Sequence, residues 1–394
     1  MPDVHALLGP SGAHRWCVCT PSARLEENIP DEGSTYAEEG TLAHRLGELL
    51  LRAEYEGADI VEDVEAVKAD PLYSASMMEH MEGYAAFIGE RMADARARCA
   101  DPLLFVEQRI DVSEYVPEGF GTADCVIIAD GLMDVIDLKY GAGIPVNAED
   151  NPQMKIYALG SLLAFDMFYN IQAVRMTIYQ PRLDNISTAV VERGKLLAWA
   201  EEYLKPRAAL AWEGKGDFAP GESTCKWCKA KALCKARAAY QLELAAEDFA
   251  EPEWMSHDEV AEVLRRLPDL LAWAKDVKTY AENAAINKGE AFPGFKVVEG
   301  RSTRRYTDEG AIARRLKKGG FATADIYKPK ELLGITAMEK LVGAKRLAEL
   351  VGGLIEKPPG APTLVPESDK RPALNTAAKA AADFADEDGL APAT

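Results

Sequence analysis

Long apolar runs are missing from this 394-residue chain, and its uninterrupted hydrophobic stretches fall far short of the roughly 20 residues a membrane helix needs. The opening MPDVHALLGP has no basic segment followed by an apolar core, so nothing in it reads as a secretory signal, and a cytoplasmic protein is expected. Positive charge is in deficit. Lys and Arg number 45 against 64 Asp and Glu, a net charge of −19, which argues against a protein that coats nucleic acid by bulk electrostatics. Cysteine is sparse and odd in number, at seven, so a disulfide framework is not expected and ligation of a metal or cluster becomes the more informative use.

The length suits roughly two domains. Residues 41–52 carry Leu42, Leu46, Leu49 and Leu50 at helical spacing, with Thr41 as the expected N-cap and His44 opposite the leucine stripe. A second helix is expected from about Ser74 to Cys99. The period then changes. LLFVEQRI (103–110), DCVIIAD (124–130) and LMDVIDLK (132–139) read as strands, with a tight hairpin at Asp130-Gly131. Asn151 and Pro152 form an N-cap and first helical residue, opening a helix to about Phe165, and AVRMTIYQP (173–181) supplies one more strand. The order is helix, three-stranded meander, helix, strand, an α/β (α+β) core.

Beyond the cysteine-rich stretch the chain reads as mostly helical, with a capping box at Ser256 and Glu259 and a short strand expected at 294–301. A flexible tail is expected from about Lys357. The expected division is 1–240, 241–356 and 357–394.

Chemistry concentrates near DVIDLKYG at 134–141. Alternation along a strand sends Ile136 and Leu138 one way and Val135, Asp137 and Lys139 the other, so the acid and the lysine aim at one spot. A strand-end salt bridge is the plain reading of that pair. The hairpin, however, runs the strand of Asp124 antiparallel to that of Asp137, and two nearby carboxylates resist joint ionisation unless a cation sits between them. Mg²⁺ fits such a sparse oxygen set, and Lys139 would then orient water or offset charge at a phosphodiester. Gln153 and Tyr157 share one face of the following helix.

Together, GTLAH ending at His44, GTAD ending at Asp124, Asp137-Leu138-Lys139 and Gln153-x-x-x-Tyr157 resemble the RecB-type branch of the PD-(D/E)xK nucleases. That branch includes CRISPR-adaptation exonucleases and the nuclease halves of bacterial recombination helicases. The resemblance implies a restriction-endonuclease-like core and metal-dependent cleavage of DNA ends or single strands, as an exonuclease. It implies Mg²⁺ or Mn²⁺ held by His44, Asp124, Asp137 and the Leu138 carbonyl, catalysis by Lys139, and DNA contacts from Gln153 and Tyr157. Glu107 lies in the first meander strand, where such nucleases often keep an acid near the metal. Asp rather than Glu precedes x-Lys here, a variation the family tolerates.

CKWCKAKALC sets Cys225, Cys228 and Cys234 at C-x2-C-x5-C, a ligation pattern for which zinc is the default from spacing alone. Cluster-bearing RecB-type nucleases add one N-terminal cysteine and hold a 4Fe-4S cluster, which the resemblance assigns here to Cys19, Cys225, Cys228 and Cys234, with Cys17 as the alternative to Cys19. HRWCVCTPSARLEE also resembles an uncharacterised phage and prophage family with one cysteine ahead of PSARLE, which favours Cys19 and a recombination or replication setting with single-strand-binding or recombination partners. Such a cluster would staple the chain's beginning to the end of the core. Lys226, Lys229, Lys231 and Lys235 interleave with the ligands and offer local positive charge to DNA; a second basic concentration runs from Arg301 to Lys318. The rival expectation is a non-catalytic DNA-binding or zinc-stapled scaffold that retains the nuclease fold.

Overall fold

The computed structural model describes residues 6–30, 33–247, 256–298, 308–318, 332–351 and 354–355. Its centre is a mixed five-stranded sheet whose spatial order follows the chain: β1 (Leu103–Asp111), β2 (Phe120–Ile128), β3 (Gly131–Leu138), β4 (Ile171–Gln180) and β5 (Asn185–Glu192). All neighbours pair antiparallel except β3 and β4, which are parallel and therefore need a crossover. Helix α6 (Pro152–Phe165) makes it, after two short N-terminal helices α1 (Ala13–Trp16) and α2 (Ser22–Glu26) and three longer ones, α3 (Thr35–Glu56), α4 (Val61–Lys68) and α5 (Ala75–Arg98).

Alternation in β2 and β3 divides the core. Cys125, Ile127, Ile136 and Leu138 pack with Met77, Met81, Tyr84 and Ile88 of α5 and Leu46 of α3. Val126, Ile128, Met133 and Val135 pack on the opposite face with Ile156, Leu159 and Leu162 of α6. The same cluster takes in Leu196 of α7 (Arg193–Trp199), Ala208 of α8 (Lys205–Glu213) and Trp16 of α1. Helices therefore cover both faces of the sheet, as a partly parallel sheet requires.

Most expected elements are present with their caps. Ser74 caps α5, accepting from the Met77 amide, and Asn151 caps α6, accepting from Gln153 and Met154 with Pro152 in the first turn. Some boundaries and elements differ. Helix α3 begins at Thr35, capped by Ser34, so Thr41 lies within it rather than at its start. Strand β2 begins at Phe120, which moves Asp124 from the strand's end to its middle. The edge strand β5 extends the expected set by one strand, and residues 295–298 form no strand, with Phe295 85% exposed.

The C-terminal region is mostly helical where described: α9 (Glu222–Cys225), α10 (Lys235–Glu247), α11 (His257–Asn287), α12 (Glu309–Lys318), α13 (Ile335–Val342) and α14 (Ala344–Val351). Helix α11 carries the expected Ser256–Glu259 capping box. Its Asp269 and Asp276 accept from the buried Arg237 of α10 at 3.2 and 2.7 Å. Helix α13 packs on α5, and the Ala344 amide donates to Glu79 at 3.1 Å. The expected flexible tail at 357–394 and Arg301, Arg304 and Arg305 lie outside the described residues. No helix among the described residues is long and apolar enough to cross a membrane.

Candidate functional site

Three acids line up across the first three strands. The β1–β2 register pairs Val106 with Cys125 and Gln108 with Ala123, bracketing Glu107 and Asp124 at the one unpaired step between them; the β2–β3 register stops at Cys125 and Ile136, one step before Asp124 and Asp137. Like charges in cross-strand positions repel. The backbone also gives way there: Glu107 has φ 51°, a left-handed conformation uncommon for a non-glycine residue.

Helix α3 brings His44 to this row. Gly47, on the same face three residues on, permits close packing against α5, since a Cβ there would lie 3.3 Å from Met81 Sδ and 3.4 Å from the Tyr84 ring. His44 Nδ1 then sits 3.4 Å from Asp124 Oδ1. It borders the packed face rather than lying opposite it, because the buried residues of α3 are Ala43, Leu46, Gly47 and Leu51. Ligand atoms of His44, Glu107 and Asp124 all lie within 4.8 Å of one another, the one such His/Cys/Asp/Glu group among the described residues.

Asp137 stands beside this triplet rather than in it. Its Oδ2 is 2.9 Å from Lys139 Nζ, while its Oδ1 accepts from Gln153 Nε2 at 3.1 Å. Oδ2 is buried and has no well-directed hydrogen bond. Gln153 Nε2 also lies 3.4 Å from the Tyr157 hydroxyl, so both α6 residues reach the site from the crossover. Leu138 enters through its amide, which donates to Asp124 Oδ2 at 2.6 Å.

Burial and charge oppose one another here. Burial disfavours charge on His44, but Asp124, with Asp137 and Glu107 behind it, overcomes this and lifts its pKa to about 9. Burial raises Glu107 to about 7, Asp124 adding and His44 subtracting. Burial also acts against charge on Lys139, yet Asp137 and Asp124 outweigh it and keep the ammonium. Burial pushes the Tyr157 phenol up, reinforced by Asp137, so it remains protonated.

Cys19, Cys225, Cys228 and Cys234 line one small apolar cavity together with Arg15 and Lys231. Cys17 belongs instead to the core cluster around Trp16 and Ala23. All seven cysteines are free thiols. Burial raises Cys228 to about 12, helped by nearby Glu26. The N-terminal segment reaches this region through side chains whose role the sequence did not disclose. Arg15 bonds Glu26 at 2.7 Å and the Trp227 carbonyl at 3.1 Å, and Glu26 accepts from the Lys229 amide. Lys231 pairs with Asp276 at 3.0 Å and Arg237 is buried against α11.

A solved structure titled "Crystal structure of SSO0001" is similar at 14% identity and a TM-score of 0.25, covering 55% of this chain and 95% of its own. Residues 5–372 match the family described as "Protein of unknown function (DUF2800)". That match runs from the N-terminal segment through the acidic row and the cysteine motif into the C-terminal helices, and the chain belongs to the DUF2800 family.

Proposed function

We propose that this protein is a metal-dependent DNA nuclease, hydrolysing phosphodiester bonds at DNA ends or in single strands. The observation that carries the reading is the meeting of His44, Glu107, Asp124, Asp137 and Lys139 at one stretch of the sheet, with Gln153 and Tyr157 over them. All of these but Glu107 belong to the motifs that resemble RecB-type nucleases, and Glu107 stands where such nucleases often keep an acid.

The residues fit a hard divalent cation. An acidic row across neighbouring strands and a buried Asp137 oxygen without a directed hydrogen bond are both relieved by positive charge. His44, Glu107 and Asp124 would hold Mg²⁺ or Mn²⁺, with Asp137 beside them. When bound, such an ion supplies Lewis-acid polarisation and a water of lowered pKa.

The chain's own groups do the rest. Lys139, kept charged by Asp137, offsets the negative charge that gathers on the phosphoryl oxygens. Gln153 fixes the Asp137 carboxylate through its amide nitrogen. Tyr157, protonated, accepts from Gln153 Nε2 through its oxygen and keeps its O–H to donate, and would orient a phosphate oxygen.

Cys19, Cys225, Cys228 and Cys234 would hold a 4Fe-4S cluster. The shared lining of one small apolar cavity by all four supports a common ligand, and joining Cys19 to the motif would hold the N-terminal segment against the core. The PSARLE segment favours a phage-type recombination or replication setting, with recombination or single-strand-binding proteins as partners.

Digestion of end-labelled single- and double-stranded DNA with Mg²⁺ or Mn²⁺ tests the reading. Metal-dependent shortening by the wild type, lost in Asp137→Ala, is the expected result. Intact DNA under every metal with a folded protein would leave the non-catalytic scaffold as the function.

A further inference from the structure

Trp227, between Cys225 and Cys228, is 66% exposed, an unusual position for so large an aromatic side chain. The turn beneath it is fixed. Arg15 holds its carbonyl, Glu26 holds Arg15, and Glu26 also accepts from the Lys229 amide two residues on. The Lys226 ammonium sits 5.7 Å from the centre of the indole ring. Lys226, Lys229 and Lys235 are exposed, and from Ser223 to Tyr240 there is no acidic residue, although the chain as a whole carries a net charge of −19. A rigid indole set among cations suits a π-faced polyanion.

The same N-terminal segment reaches the acidic row. Pro10 packs on Gly121, and a Cβ at Gly121 would lie 2.8 Å from Pro10 and 3.1 Å from the Tyr157 ring. Helix α1 contacts both α6, which carries Gln153 and Tyr157, and α9, which leads into the cysteine motif. His14 of that helix lies near enough to Lys139 to feel its charge, while Arg15 beside it holds Trp227.

We propose that Trp227 is a base-stacking platform for single-stranded DNA, with Lys226 holding the phosphate beside the stacked base. The ligand rests on the nuclease reading. The platform determines which form of DNA is engaged: an unpaired base has a free face for the indole, whereas a base within a duplex has none.

The test is a fluorescence-anisotropy titration of a labelled oligothymidylate and an abasic strand of equal length, using full-length protein carrying Lys139→Ala so that the DNA survives. Added Trp227→Ala should weaken oligothymidylate binding about tenfold or more and leave abasic binding unchanged, and Trp227→Phe should restore most of the loss. Lys226→Ala should weaken both strands alike. Equal affinity for the two strands before the Trp227 change, or no response to that change, overturns the proposal. So does a Trp227→Ala variant that alters only self-association in sedimentation velocity. The readout is independent of cleavage: wild-type protein that stacks bases without cutting DNA would end the nuclease reading alone, and one that cuts without stacking would end this inference alone.

Discussion

Glu107 and Asp124 face each other across β1 and β2 at the one step of that register that lacks a pair, with Glu107 in a left-handed backbone conformation. Without a cation this is a repulsive position. Glu107→Gln should therefore stabilise the metal-free protein, by up to about 1 kcal/mol. The same change should weaken Mn²⁺ binding at least tenfold. Denaturant melts with and without Mn²⁺, together with calorimetric titration, check both directions.

The pH dependence of the metal-free protein follows from two groups at this position. His44 is raised from 6.5 to about 9, so its contribution is full below 6.5 and is lost as pH rises through 9. Glu107 is raised from 4.5 to about 7, so the folded state holds its proton longer than the unfolded state and stability falls across that interval as well. Metal-free stability should decline from acid to mildly alkaline pH. Mn²⁺ affinity should rise over the same range with release of protons, detectable as a buffer-dependent binding enthalpy.

Lys139→Ala should lower the turnover of DNA by about a hundredfold or more. The fold should persist, since burial already raises the Asp137 pKa, so the carboxyl can take a proton once the ammonium is gone, and it keeps its bond from Gln153. Circular dichroism alongside the cleavage assay separates a lost reaction from a lost fold.

The two N-terminal cysteines should behave differently. Cys19→Ser should remove the brown colour and the absorption near about 400 nm expected of a cysteine-ligated iron–sulfur centre. Cys17→Ser should leave the colour intact and cost about 1–3 kcal/mol, because Cys17 is 1% exposed within the core and a hydroxyl there needs a partner. Visible spectra and denaturant melts of the two purified variants check this.

Away from the acidic row, Asp134 is fully buried and is bonded by Arg175 at 2.5 Å, which also reaches Asp94 at 2.8 Å. Arg175→Met should destabilise by about 3–5 kcal/mol by leaving a buried carboxylate without its partner. Adding Asp134→Leu should recover much of the loss in a thermal melt.

Local signals were the legible part of this chain. Asn151-Pro152, Ser74 and Ser256 with Glu259 each carry capping chemistry in adjacent residues, and the helices start where those residues indicate. The β5 strand was less legible because its inner positions are small or polar, as in Ser187 and Ala189, while Ile186 and Val190 face solvent, as an edge strand permits. Ser34, rather than Thr41, opens α3 because the leucine stripe continues a helix already formed. Strand alternation put Asp137 beside Lys139 and helical spacing put Gln153 beside Tyr157, whereas His44 and Asp124 joined them as one set only through the resemblance to nuclease motifs. Glu107 was not readable as a full member. Its position depends on a left-handed backbone and a β1–β2 register, neither of which a single strand records.

Residues 15–24 donate hydrogen bonds to carbonyls far along the chain: Arg15 to Trp227, Thr20 to Lys215 and Arg24 to Trp212, at separations of 212, 195 and 188 residues. During synthesis the sheet, whose neighbours follow chain order, can assemble as it emerges, but these three bonds cannot close until their distant partners have been made. At about 5–20 residues per second that wait lasts about 10–40 seconds. A tag or fusion placed ahead of this leading segment therefore competes with a late closure of the nascent protein, whereas an insertion after α14 meets a seam already shut.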